Sequence, residues 1–107
     1  MRRVVTVTVD RPLGSAHPDY PQTVYPVNYG YIAGAMAQDG EPQDAYILGV
    51  DRPVSSFTGE LAAILHRSDD VEDKWVVVPK GMTLSESRVW DETSFAEQWF
   101  SGKIEIL

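Results

Sequence analysis

Apolar and polar residues alternate most cleanly near the start of the chain, where Val5, Val7 and Val9 interleave with Thr6 and Thr8. A period of two puts the valines on one face of a strand and the threonines on the other, so a half-buried strand is predicted. DRPLGSAHPDYP follows, a turn-rich connection with three prolines. Tyr29 to Ile32 and Ala45 to Val50 read as a strand pair around the turn DGEPQD. Asp51 to Phe57 reads as a loop, and Gly59 to Leu65 as a further apolar stretch. Ser68 to Asp73 reads as a second, acidic turn, with Lys74 to Val78 the strand beyond it. Five or so short strands joined by turns at this spacing predict a small barrel or sandwich.

Helical spacing begins after Pro79-Lys80-Gly81. Thr83 or Ser85 can cap a helix there, with Glu86 in its first turn. Val89, Phe95, Ala96, Trp99 and Phe100 recur at helical intervals, predicting a face packed on the barrel with Trp99 and Phe100 as core anchors. The pattern also allows an interruption near Asp91 to Ser94. Ile104, Ile106 and Leu107 form a short apolar tail that could dock on the barrel or on another subunit, which leaves a homo-oligomer open. The expected fold class is mainly β with a C-terminal helix (α+β), residues 1–107 forming one domain.

Length and composition agree with that picture. A chain of 107 residues can bury a core without covalent staples, and it has no cysteine for disulfides or thiolate metal sites. Its 16 acids against 9 Lys and Arg give a net charge of −7, which argues against nucleic acid as a partner. Met1-Arg2-Arg3 leads straight into the Val/Thr alternation rather than into a signal-peptide apolar core. Nothing approaches the roughly 20 apolar residues of a membrane span. The expectation is a cytoplasmic protein with no membrane partner.

The chemistry concentrates at DGEPQD, where Asp39, Glu41 and Asp44 stand at spacing i, i+2, i+5. Like charges that close raise one another's pKa or repel, whereas a divalent cation makes the cluster favourable. Hard oxygen ligands suit Mg²⁺, Mn²⁺ or Ca²⁺ rather than zinc. Asp-Gly and Glu-Pro are also ordinary turn formers, whose acids are commonly just solvated. Four of the five tyrosines, Tyr25, Tyr29, Tyr31 and Tyr46, flank the turn. Period two sets Tyr29 and Tyr31 on one strand face, with Asn28 and Gly30 on the other. A phenol, apolar in body and polar at its tip, suits the wall of a polar cleft, though it equally suits a core rim.

YPVNYGYI followed by DGEPQD resembles the signature of the soluble family I inorganic pyrophosphatases, Tyr-Pro-x-Asn-Tyr-Gly-Tyr-Ile and then Asp-Gly-Asp-Pro-x-Asp. HRSDDVEDKWVVVP resembles that family's second acidic turn. Asp69 matches the first acid, Glu72 or Asp73 the second, and Lys74 the phosphate-facing lysine. The resemblance is closest over residues 24–50 and extends to Pro79. It implies a five-stranded OB-like barrel and Mg²⁺-dependent hydrolysis of inorganic pyrophosphate to two phosphates by a metal-activated water, with Mn²⁺ as a substitute metal. It implies Asp39, Asp44, Asp69 and Glu72 as metal ligands and Glu41 as the acid that receives the water's proton. Tyr29 would contact phosphate or a metal-bound water, and Lys74 would clamp phosphate. Bound metal also reconciles an acidic chain with a small phosphate-containing substrate.

The chain departs from that pattern in places. Glu41 stands where the family has Asp, and Thr6 and Thr8 where it has Lys-x-Glu. DYPQTV lacks the family's arginine before the tyrosine motif, and FAEQWFSGK lacks its Tyr-Lys pair. Arg11, Arg67 and His66 are the available substitutes, and His17 reads as a loop residue. A second reading therefore stands beside the first: a pyrophosphatase-like domain of weak or no turnover that binds a phosphorylated ligand or a protein partner.

Overall fold

The Val/Thr alternation forms β1 (Val4–Arg11), with Val5 and Val7 buried and Thr6 and Thr8 exposed. The computed structural model describes residues 2–37, 39–68 and 72–107. Within it β1 is followed by β2 (Asn28–Met36), β3 (Pro42–Ile47), β4 (Ser56–Arg67), β5 (Asp73–Val78), the helix α1 (Glu86–Glu97) and β6 (Gly102–Ile106). The sheet order is β1-β2-β3-β5-β4-β6. A further β1–β4 pairing closes the first five strands into a barrel, which removes the open edges a flat sheet would expose. All strand pairs are antiparallel except β3–β5, which is parallel.

Period two divides the buried residues into two clusters. Val5, Val7, Ile32, Ala35, Ala45, Ile47 and Val77 come from strands alone and fill the barrel. Tyr25, Tyr29, Tyr46, Leu48, Leu65, Val76 and Val78 lie on the outer face, which α1 covers through Val89. The second halves of β3 and β5, Ala45–Ile47 and Val76–Val78, are thus buried on both faces, which is why they read as unbroken apolar runs rather than alternations. Asn28 is fully buried, and its amide is satisfied by the segments that flank it. Its Oδ1 accepts from the backbone N–H of Leu13 (2.9 Å) and of Val54 (3.2 Å), and its Nδ2 donates to the Arg52 carbonyl (2.9 Å). Gly30 faces Val9 so closely that a Cβ there would overlap the Thr8 carbonyl oxygen.

Ser85 caps α1, its hydroxyl accepting from the Arg88 N–H at 3.2 Å, and Glu86 lies in the first turn. The helix runs unbroken through Asp91–Ser94, and the hydroxyl of the buried Thr93 is satisfied by donating back to the Val89 carbonyl (2.7 Å). Its buried stripe is Val89, Thr93 and Glu97, supported by Phe95. Trp99 and Phe100 are not core anchors. They fall beyond the last helical residue and are 77% and 40% exposed. The apolar tail does dock on the barrel: β6 pairs with β4 from Ala63↔Ile106 to Arg67↔Gly102. Among the described residues no helix is long and apolar enough to cross a membrane.

Candidate active site

The barrel register brings the outer-face residues of four strands side by side. Tyr29 lies opposite Tyr46, Tyr31 opposite Asp44, and Leu65 opposite Lys74, with Arg67 two residues further along β4. Arg11 joins them through an irregularity in β1. The pairing slips between Val9↔Gly30 and Arg11↔Tyr29, where a regular ladder would set Arg11 opposite Asn28 on the inner face. One extra residue therefore moves a cation from the barrel side to the tyrosine side.

Charges alternate across this face. The buried Lys74 ammonium donates to the Tyr29 hydroxyl (2.8 Å), to Asp44 Oδ2 (2.6 Å) and to the Glu72 carboxylate, which uses all three of its protons. Arg67 grips Glu97 with two donors, Nη2 to Oε2 (2.7 Å) and Nε to Oε1 (3.1 Å), and reaches Glu72 at 3.6 Å. The Tyr46 hydroxyl donates to Glu97 Oε2 (2.7 Å). The run Asp44–Lys74–Glu72–Arg67–Glu97 leaves no buried side-chain polar atom unpaired among the described residues.

These contacts set the protonation states. Burial works against charge on Asp44, but its bonds to Lys74 more than offset this and hold its carboxyl below the ordinary value. Burial, then the Asp44 charge, push the Tyr29 phenol up, so it stays a proton donor. Burial and Glu97 do the same for Tyr46. Burial opposes charge on Arg67, and Glu97 outweighs it, so its pKa is raised.

Beside this face opens a cleft of about 570 Å³. Arg11, Arg67 and Lys74 line it together with Tyr25, Tyr29, Tyr46 and Phe95, and His17, Tyr20 and Trp99 stand in its wall. Arg11 Nη1 donates to the Tyr25 hydroxyl (2.7 Å), and its guanidinium lies over the rings of Tyr25 and Tyr29, each at 5.7 Å. It makes no salt bridge within the described residues. A second hollow of about 580 Å³, bounded by β4, β6 and α1, shares Arg67 and Phe100 with the first.

The acids expected from sequence are distributed unevenly. Asp44 and Glu72 meet at Lys74, whereas Asp73 pairs with His66 at 3.2 Å. Asp39 and Glu41 are exposed on the β2–β3 turn, where Asp39 Oδ1 accepts the Glu41 N–H (3.0 Å). Asp69 lies outside the described residues. Among the described residues no three His, Cys, Asp or Glu side chains gather closely enough to hold a metal ion. Thr6, where the family carries charge, bonds Thr58 instead (2.8 Å). His66, considered as a substitute cation, sits between Asp73 and Glu105 (2.7 Å). Sequence reasoning missed Glu97, which is legible only as the last member of an i, i+4, i+8 stripe with Val89 and Thr93. It also missed the register slip that aims Arg11.

The sequence profile of the inorganic pyrophosphatases matches residues 6–100. The chain belongs to the inorganic pyrophosphatase family. An inorganic pyrophosphatase of Saccharolobus solfataricus is 33% identical over 81 residues, 72% of this chain and 44% of that one. One of Aeropyrum pernix is 36% identical over 65 residues, 57% of this chain and 37% of that one. The matched stretch thus spans less than half of these curated relatives. The solved structure of an inorganic pyrophosphatase from Ehrlichia chaffeensis superposes with a TM-score of 0.73, covering 97% of this chain and 86% of that one. One from Coxiella burnetii gives 0.69. At 16% identity each, these two establish a shared fold: the pyrophosphatase barrel.

Proposed function

We propose that this chain hydrolyses inorganic pyrophosphate to two phosphates in the presence of Mg²⁺, with Mn²⁺ as a substitute. The observation that carries the reading is the convergence of Lys74, Arg67 and Arg11 on one tyrosine-walled cleft, with Lys74 joining it to Asp44 and Glu72. Arg11, which makes no salt bridge among the described residues, gives the incoming anion its first contact. Phosphate oxygens then exchange with Asp44 and Glu72 for the ammonium of Lys74. Tyr29, held protonated, donates alongside it. Water adds to one phosphorus, the bridging P–O bond breaks, and Glu41, exposed on the β2–β3 turn, would receive the water's proton as the family resemblance implies.

The donor chemistry suits a hard divalent cation, though the described residues leave it ungathered. Asp39, Asp44, Asp69 and Glu72 would hold it. The cation would neutralise substrate charge and make the attacking water more acidic. We place the chain in the cytoplasm, acting on a small phosphate-containing substrate without a nucleic-acid or membrane partner.

A second reading has one specific observation in its favour. Lys74 and Arg67 are already occupied by carboxylates, so a ligand must displace ion pairs to reach them, and turnover could be lost while binding persists. A phosphate-release assay on pyrophosphate with millimolar Mg²⁺ separates the two readings. Turnover that falls by roughly 100- to 10,000-fold in Glu41→Gln, with an unchanged melting temperature, supports the hydrolase. Absence of phosphate release, with pyrophosphate still bound, supports the binding domain. In parallel, Mg²⁺ should raise the melting temperature through preferential binding to the folded chain, and Asp44→Asn should abolish most of that rise. An equal rise in wild type and variant would remove Asp44 from the ligand set.

A further inference from the structure

The cleft holds more than a diphosphate requires. Its volume of about 570 Å³ falls in the range of roughly 300–1,000 Å³ that encloses drug-sized ligands. A bare diphosphate has no apolar atom and would occupy only the charged floor. The remaining wall is aromatic. His17 lies 5.1 Å from Tyr20 and is stacked on Tyr25 at 6.0 Å with an interplanar angle of 11°. Tyr25 meets Phe95 edge-on at 5.2 Å. Tyr20 and Trp99 stand 65% and 77% exposed at the cleft. Trp99 has no aromatic or cation–π partner among the described residues, and its 77% exposure leaves the indole open to stacking. Exposed aromatic faces beside a set of cations match a ligand that carries a planar ring at one end and phosphates at the other.

We infer that the cleft accepts nucleoside diphosphates, the diphosphate lying at Arg11 and Lys74 and the base stacking on Trp99 and the Tyr20–His17 wall. The inference rests on the phosphoanhydride reading of the same site and extends it to a substrate class. Stacking tolerates any base, because every base presents a π-face, so both purine and pyrimidine diphosphates fit.

Isothermal titration of ADP and of inorganic pyrophosphate, each with Mg²⁺, into the wild type and Trp99→Ala tests it. Removing Trp99 leaves the core untouched because its side chain is largely solvated. ADP should bind the wild type more tightly than pyrophosphate does. Trp99→Ala should weaken ADP by roughly five- to 150-fold, the worth of one base–aromatic stack, and leave pyrophosphate affinity unchanged. Pyrophosphate binding as tightly as ADP, or a Trp99→Ala variant that treats the two ligands alike, overturns the nucleotide inference and leaves the pyrophosphatase reading standing. Failure of both ligands to bind the wild type overturns both.

Discussion

Lys74 shows how one side chain can be structural and chemical at once. Its ammonium neutralises Asp44 and Glu72, which are partly exposed, at a point where Tyr29 also needs a partner. Lys74→Met should cost about 2–3 kcal/mol, less than the ~3–5 kcal/mol of a fully buried broken pair because water still reaches the two acids. The pH dependence distinguishes this loss from a packing defect. Asp44 is held below its ordinary pKa when folded, despite burial, through Lys74. A depressed carboxyl contributes stability in full above its unfolded pKa of about 3.9 and loses it as pH falls through the folded value. Urea midpoints should therefore drop in the wild type below about pH 4. In Lys74→Met burial is opposed only by the bonds to Glu72 and Tyr29, the folded pKa moves up, and acidification from pH 7 towards pH 4 should narrow the gap to wild type. A gap constant with pH would make Lys74 a packing residue.

At the scale of the element, α1 is anchored less by apolar area than by a buried acid. Val89 is its one fully buried apolar residue, and Glu97, buried two turns further on, ends the stripe against Tyr46 and Arg67. Glu97→Gln keeps the shape and one bond to Tyr46 but loses the charge that Arg67 grips. It should cost about 1.5–3 kcal/mol in denaturant midpoint, the worth of hydrogen bonds to a charged group. The same variant frees Arg67 for an anion, so pyrophosphate affinity should rise or hold while stability falls. Loss of both in proportion would mean that Glu97 positions the cleft and does not compete for its cation.

At the scale of the molecule, the barrel depends on backbones that approach without side chains between them. Gly30 abuts β1, and Gly59, opposite Val5, abuts the Val78 carbonyl where β4 closes on β5. Gly30→Ala forces β1 off β2. It should destabilise by at least about 3 kcal/mol, the upper end of overpacking costs, and lower the melting temperature by ~10–25 °C. Gly81, at φ +79° with open space around it, is the control, and alanine there should cost only about 1 kcal/mol. Similar losses at both positions would show that backbone conformation, and not barrel closure, sets the glycine requirement.

The sequence by itself determined those features whose information is local. Period two fixed the faces of β1 and β2, with Tyr29 and Tyr31 out and Asn28 and Gly30 in, because successive side chains of a strand must alternate. Thr83 or Ser85, with Glu86 after them, marked the start of α1 to within a few residues, because a capping side chain satisfies its free N–H groups, and the structure selects Ser85. The tyrosine motif and the two acidic turns named the family and most of the candidate acids. Tertiary structure decided what depended on partners distant in the chain. Glu97 meets Tyr46 and Arg67 across 51 and 30 residues, and no local pattern distinguishes an acid that will be buried from one that stays in water. Trp99 and Phe100 continue the helical spacing in sequence, yet the helix ends at Glu97 and the chain tightens into a turn there, the Phe100 N–H bonding the Glu97 carbonyl at 3.0 Å. Arg11 reaches the cleft only because β1 slips by one residue against β2, a choice made by the barrel as it closes.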